Sequence, residues 1–387
     1  MQQTLHENSR QTASLSLHRP WKFVDFLCGV SARVVRLTAI AVALAWIPPA
    51  VLSAVRGNAA FVSFLTDYAS QSRFLIVIPI LMLAVPVPNR RHSLVAHHLE
   101  EFVPKNQLDA FQASSASFER LKHSRFAQAV IILLTYALAI YFAEYLSPGG
   151  SEVLPWLKGS GGFRWFSPAG TWGLFVSYPI VTYVALLWVW RQLLWARFMR
   201  STARLDLRII AAHPDRLGGI GFVGYALHGQ DAFCFCMGVG MSGAIANRVL
   251  HHGGKLTSFG PAAAVLVAAI LLICVVPYFA FTPILLRMRR RGLLKYGSVA
   301  HQAGEHFEKE WLDRPGGVDP DCLDAQHFSA LNHLYGVVGN VNEIGVLPVT
   351  RIDLYGLLVA AFIPAIPVVI GSIPLDTIMR AAMKMLF

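Results

Sequence analysis

The sequence is dominated by apolar runs that are long enough to cross a lipid bilayer. A spanning helix needs about 20 mostly apolar residues. Six segments meet or approach that length: 34–55, 74–87, 126–146, 171–190, 261–286 and 354–373. Only 14% of the residues are charged, against about 25% in soluble domains. The pattern predicts an all-α, polytopic helical membrane protein with six or seven transmembrane helices and helical cytoplasmic segments.

A weaker seventh span is indicated at 231–250, which is rich in Gly, Ala and Ser. Small residues let helix backbones approach closely in a bundle, so modest hydropathy does not exclude a crossing. Lys and Arg are concentrated in 90–125, 191–216 and 287–295 and sparse in the other loops. That alternation follows the positive-inside rule only if 231–250 also crosses. We therefore expect a multi-pass membrane protein with a cytoplasmic N-terminus.

The expected organisation follows from this topology. Residues 1–33 form a cytoplasmic N-terminal segment without the apolar core of a cleavable signal peptide. Residues 34–286 form the bundle, with a cytoplasmic loop at 89–125 and a turn at 213–222. Residues 287–353 form a cytoplasmic helical segment that continues the preceding span inward. Residues 354–387 form either a C-terminal spanning helix or a hairpin broken at Pro364 and Pro367, followed by a tail.

The motif HPDRLGGIGF at 213–222 combines polar residues with closely spaced glycines. It lacks the Gly-Lys-Ser/Thr ending of a phosphate-binding P-loop. We interpret it as a boundary at the inner surface, where Pro214 ends an amphipathic helix and Asp215 caps the next segment. Such a turn is structural or gating, and the alternative is an anion site built from Arg216 and glycine amides. The candidate residues are His213, Asp215, Arg216, Gly218, Gly219 and Gly221.

Polar groups within or beside the spans form a second set of candidates, because intramembrane ionisable groups are expensive to bury. They are Glu144, Asp231, Asn247 and Arg248, all near span ends. Prolines recur inside the spans and predict kinks. The aromatic residues Trp156, Trp165 and Phe166 are expected at the membrane interface. No catalytic residues, metal ligands or cofactor motif are predicted.

Three stretches resemble an uncharacterised family of bacterial polytopic inner-membrane proteins with an HPDxxGGxGF motif. They are LDLRIIAAHPDRLGGIGFVG, RRRGLLKYGSVAHQAGEHFEKEWL and VLPVTRIDLYGLLVAAFIPAIPVVI, and they cover the C-terminal half. The segment 322–346 departs from the family pattern. The resemblance implies a multi-span helical fold in the inner membrane and no particular substrate.

Three functional hypotheses remain open from the sequence. The first is a pore, channel or transporter, because prolines interrupt most spans. The second is a non-transporting sensor or assembly component, because the inner segments are large and no charge lies at mid-membrane. The third and least favoured is an enzyme that acts on lipid head groups. The expected partners are the bilayer, a small anion or solute and a second copy of the chain, and nucleic acid is not expected.

Overall fold

A computed structural model describes residues 31–145, 154–159, 166–254, 256–309, 313 and 326–372. In these residues the chain is all-α, as predicted, and contains no strand beyond an isolated bridge between Lys158 and Phe166. The α-helices are α1 Ala32–Arg56, α2 Asn58–Leu65, α3 Tyr68–Ser72, α4 Ile78–Leu83, α5 Pro86–Glu101, α6 Leu108–Lys122, α7 Arg125–Tyr145, α8 Pro168–Trp172, α9 Tyr178–Thr202, α10 Asp231–His252, α11 Gly260–Ile270, α12 Thr282–Phe307, α13 Gln326–Asn342, α14 Arg351–Phe362 and α15 Ile366–Ser372. The π-helical turns are Arg73–Val77, Gly173–Ser177 and Leu271–Val275, and the 3-10 segments are Lys105–Gln107, Gly221–Gln230, Leu256–Phe259, Val276–Phe281 and Ile363–Ala365.

These helices form an integral membrane protein with six spans, or seven when one bent pair is included. The six are Ala32–Arg56, Tyr68–Glu101, Pro168–Thr202, Gly221–His251, Gly260–Phe307 and Arg351–Gly371. The seventh is Lys105–Lys122 with Arg125–Tyr141, which meet at 47°. The seven spans are numbered first to seventh in chain order. The bent pair is the third span in this numbering. The number predicted from the sequence is therefore confirmed.

The weakly apolar fifth span is the central helix of the bundle. In its most apolar stretch of 18 residues, half of the residues are buried. In the other five single spans the buried share of such a stretch is 11–39%. A Cβ on Gly238 would overlap the carbonyl oxygen of Ala361 in the seventh span, and one on Gly243 would lie 2.8 Å from the carbonyl oxygen of Tyr68 in the second. Glycine is used here for close helix contact, which explains why this span has low hydropathy.

Three of the prolines for which kinks are predicted follow π-helical turns. Pro79, Pro179 and Pro277 each lie two residues after the end of such a turn. The residue before each proline donates its N–H to the carbonyl five residues back, as Ile78 does to Arg73 and Tyr178 does to Gly173. The wider turn makes room for the proline ring, which otherwise clashes with the carbonyl four residues back.

The second and fourth spans begin with the same construction. Asp67 and Ser167, which are 100 residues apart, each cap a five-residue helix by accepting a hydrogen bond from the backbone N–H three residues on. A five-residue π-helical turn and a longer α-helix come next in both, with Pro79 matching Pro179. Both spans pack against α1. The repeat is one of backbone geometry, since few side chains match.

Several details differ from the sequence-based expectations. The prediction that an amphipathic helix reaches His213 is wrong, because α9 ends at Thr202. The chain then runs irregularly, and the N–H of Arg208 donates to the carbonyl of Phe102 at 2.8 Å. Trp156 and Phe166, expected at the interface, are instead 0% and 4% exposed. Trp165 lies outside the described residues.

The other expected segments are helical where the structure describes them. The loop 89–125 consists of the end of α5 and all of α6, and α12 continues the sixth span to Phe307. The C-terminal segment forms one span up to Gly371, with a 3-10 turn at Pro364 in place of a hairpin. Most of 1–33 and the tail beyond 372 lie outside the described residues.

Gly238→Ala is expected to lower the free energy of unfolding by about 1–3 kcal/mol, because overpacking forces the fifth and seventh spans apart. Gly240→Ala is the matched control in the same helix, since no atom lies within 4 Å of the position of its added Cβ. The control is expected to be neutral or stabilising by up to about 1 kcal/mol. Thermal unfolding in detergent measures both. Equal effects of the two changes would contradict the assigned helix contact.

Candidate functional site

The 213–222 turn is organised around the carboxyl group of Asp215. Its oxygens accept backbone N–H groups from Leu217 at 2.8 Å, from Gly219 at 3.0 Å and from Gly221 at 3.0 Å. Nδ1 of His213 lies 2.7 Å from Oδ1 of Asp215, a distance that fits an Nδ1–H donor. The glycine amides needed by the alternative anion site are therefore already occupied by a carboxylate of the chain itself. The geometry is that of a turn closed on its own carboxylate, and no helix ends at Pro214.

Close packing explains the glycines of this turn. Gly218 and Gly219 have φ angles of +73° and +95°, which non-glycine residues rarely adopt. A Cβ on Gly218 would lie 2.6 Å from Sδ of Met288, and one on Gly219 would lie 2.9 Å from Cε1 of Phe102. The turn thus packs against α12 and against the end of α5 at once.

Arg216 extends the contacts of the turn to a third element. It is a non-glycine residue with positive φ, at +55°. Its guanidinium pairs with the carboxylate of Glu343, and its carbonyl accepts the N–H of Gly345 at 3.0 Å. Arg216 therefore links the turn to the chain that leaves α13, and its charge is partnered within the protein.

Hydrogen bonding holds Asp215 in its ionised form. Burial by itself raises the pKa of this carboxyl group, but the N–H groups of Leu217, Gly221 and Gly219 and the side chain of His213 outweigh it. The net result is a pKa below the ordinary carboxyl value.

At the same end of the bundle, a pair of polar side chains, His228 and Asp353, joins the fifth and seventh spans. Nε2 of His228 lies 2.8 Å from Oδ1 of Asp353. Asp353 also closes a capping box at the start of α14 with Thr350. Asp231 lies in the first turn of α10, and its Oδ1 is buried without a hydrogen-bond partner among the described residues.

The remaining predicted polar residues lie toward the opposite end of the bundle. Nδ2 of Asn247 donates to Oδ1 of Asp67 at 2.6 Å. Arg248 is exposed, and its carbonyl accepts the N–H groups of Gly253 and Gly254. The backbone of Glu144 belongs to α7, and its side chain lies outside the described residues. The structure therefore separates the predicted polar residues into two groups at opposite ends.

Asp67 is the polar centre of the second group and was missed by the sequence analysis. Its side chain is 2% exposed. Besides Asn247, its oxygens accept the N–H of Ser70 at 3.2 Å, the hydroxyl of Ser70 at 2.5 Å and the indole N–H of Trp156 at 3.1 Å. The hydroxyls of Tyr178 and Ser70 are 2.7 Å apart. Because the Ser70 hydroxyl donates to the carboxylate, it accepts from Tyr178.

A cavity of about 340 Å³ lies beside this network. It is lined by residues that include Asp67, Arg73, Tyr178, Thr182 and Asn247. The guanidinium carbon of Arg73 lies 5.9 Å from the centre of the Tyr178 ring. Arg73 forms no ion pair with any carboxylate of the described residues, and Oδ1 of Asn247 is buried without a hydrogen-bond partner among them. The cavity thus offers a cation, whereas Oδ1 of Asn247 is buried out of reach of the cavity space.

A larger cleft of about 640 Å³ lies at the opposite end, between residues 205–211 and α12. Arg287, Arg291 and Lys295 line it at four-residue intervals on one helix face. All three are exposed, and no side chain lining the cleft has a buried, unpartnered polar atom. Solvated cations explain this cleft, so the cavity beside Asp67 is the better candidate for a binding site.

Comparisons with protein-family models, curated proteins and solved structures find no match to this chain. The resemblance to a family of inner-membrane proteins therefore stays a prediction. Among the described residues, no group of three or more His, Cys, Asp or Glu side chains has the arrangement of a metal site.

Asp215→Asn is expected to remove a pH-dependent part of the stability. Because the folded-state pKa of Asp215 lies below the unfolded value of about 3.9, its contribution is present above that value and is lost as the pH falls through the folded-state pKa. The difference in unfolding free energy between wild type and variant should be constant from pH 7 to about 5 and should shrink below about pH 4. Denaturation in an acid-stable detergent measures it. A difference that is unchanged at pH 3 would contradict this account.

Asp67→Asn is expected to destabilise the fold by about 1–3 kcal/mol, because the new amide must place an NH₂ against an existing donor. Asp109→Asn is the control, since Asp109 is exposed on α6. Thermal unfolding in detergent compares the two variants. Equal, small shifts would show that Asp67 does not hold Ser70, Trp156 and Asn247 together.

Proposed function

We propose that the protein is a transporter that binds a small organic anion in the cavity beside Asp67. The observation that carries the proposal is Arg73, which has no carboxylate partner among the described residues and lines a cavity together with Tyr178 and Thr182. A ligand with a carboxylate for Arg73 and a hydroxyl or amino group for the polar lining fits this cavity.

Two features favour a transporter over an open pore. The core between the fourth and sixth spans is filled by Trp188, Trp195, Tyr278 and Phe281, each at most 2% exposed. The cavity is also flanked by the π-helical turns of the second and fourth spans, which belong to the same structural repeat. Broken or irregular helices around a polar site are common in secondary transporters.

The other two hypotheses account for fewer of these observations. A sensor or assembly component explains the packed core but leaves without a role the cavity and Arg73, which has no carboxylate partner among the described residues. An enzyme for lipid head groups needs His213 and Asp215 beside a reactive cleft. Instead, Asp215 is engaged by the backbone of its own turn.

The same proposal includes an orientation. The basic segments 90–125, 191–216 and 287–295 all contact the end that carries the Asp215 turn. We propose that this end and the N-terminus face the cytoplasm of a bacterium, so that the cavity opens toward the outer side of the inner membrane. A second copy of the chain is a further expected partner.

The test is binding and uptake of short 2-hydroxy- and 2-aminocarboxylates. Wild-type protein in lipid nanodiscs is expected to bind a member of this set, and proteoliposomes are expected to take it up. Arg73→Gln should weaken binding about 10–100-fold, the value of a charge-assisted hydrogen bond. Arg248→Gln, a change of the same charge at the same end but outside the cavity, should leave it unchanged.

Equal loss in both variants would indicate a general effect of surface charge and would contradict a role for Arg73. Binding without uptake would favour the sensor hypothesis. The absence of both binding and uptake in wild type would overturn the proposal.

A further inference from the structure

A second cavity begins where the polar cavity ends. This groove of about 410 Å³ lies between the second, fourth, fifth and sixth spans. It shares Arg73 and Val181 with the polar cavity. The remaining lining residues are Val77, Leu81, Ala185, Phe233, Cys236, Met237, Gly240, Met241, Ala244, Ala262, Val265, Leu266 and Ala269, none of them charged.

Arg73 therefore stands at a boundary between two chemical environments. One side presents Tyr178, Thr182 and Asn247, and the other side presents only apolar or thiol-bearing side chains. A small polar solute contacts only the first side. A molecule with a charged head and an apolar tail fills both sides at once.

The dimensions of the groove fit an alkyl chain. Arg73, Val77 and Leu81 line it at four-residue intervals along one face of the second span. Eight residues of helix measure about 12 Å, roughly the length of ten extended carbons. Small residues, including Gly240, Ala244, Ala262 and Ala269, leave the space open, and no atom lies within 4 Å of a Cβ added to Gly240.

The groove ends at a packed aromatic floor. Leu81 and Phe233 line its far end, and Phe233 stacks on Trp188 with ring centres 5.9 Å apart. The indole N–H of Trp188 donates to the carbonyl of Leu81 at 3.0 Å. These aromatic contacts mark the end of the groove that is farthest from Arg73.

We infer that the ligand is an amphipathic anion, whose carboxylate binds Arg73 and whose alkyl tail lies in the groove between the second and fifth spans. The inference rests on the proposed function, because it uses the same head-group site. It adds the class of substrate: a medium-chain carboxylate with a hydroxyl or amino group next to the acid.

The experiment is a binding series of 2-hydroxyalkanoates, from lactate to 2-hydroxydodecanoate, with wild-type protein in lipid nanodiscs. Binding is corrected for partition into empty nanodiscs. Affinity is expected to rise about fourfold per methylene and to level off at roughly ten carbons, when the tail meets Leu81 and Phe233.

Two groove-filling variants test where the alkyl tail of the ligand binds. Gly240→Leu and, on the opposite wall, Ala262→Leu each fill the groove, so both should keep the affinity for lactate and lose the gain with chain length. Gly356→Leu is the control, because Gly356 is exposed on the seventh span with no atom within 4 Å of an added Cβ. It should keep the wild-type series. Arg73→Gln should lower affinity at every chain length.

The possible outcomes separate the two proposals. Binding of lactate with no dependence on chain length in wild type would overturn the amphipathic ligand and leave the proposed function standing. A rise with chain length that survives both groove-filling variants would overturn the groove as the tail site. No binding of any member of the series by wild type would overturn both proposals.

Discussion

The carboxyl group of Asp67 is the interaction on which one end of the bundle depends. It lies 2% exposed and collects four donors from Ser70, Trp156 and Asn247. A buried carboxylate is tolerated only when such donors replace its water. The start of the second span, the loop before the fourth and the end of the fifth are thereby fixed to one point. Their positions in turn define the walls of the cavity beside Arg73.

Asp215 is a less buried carboxylate at the other end, and its donors are different. Backbone N–H groups of its own turn and the side chain of His213 bind it, so a segment without regular structure follows a defined path. Glycines allow that path and let Phe102 and Met288 approach. The comparison separates two uses of a carboxylate. Asp215 organises a local turn that other elements pack against, whereas Asp67 joins distant segments and leaves a cavity beside them.

The sequence was sufficient for features that depend on local composition and insufficient for those that depend on distant partners. Apolar length and charge alternation predicted the spans, including the glycine-rich one at 231–250. The motif around Asp215 was recognisable because all its donors lie within six residues. Asp67 was not, because Trp156 and Asn247 are 89 and 180 residues away. Trp156 was assigned to the membrane interface for the same reason, because its hydrogen-bond partner Asp67 is distant in the sequence.

The π-helical turns connect this architecture to the proposed activity. In a bilayer an unpaired carbonyl is costly, so a proline inside a span requires a local rearrangement of hydrogen bonds. In the second and fourth spans that rearrangement occurs at Arg73–Val77 and Gly173–Ser177, and residues of both turns line the polar cavity. The same backbone change that accommodates Pro79 thus sets the position of Arg73, where the polar cavity meets the apolar groove. The proposed head-group site lies at this junction, and the position of the junction depends on how the two spans accommodate their prolines.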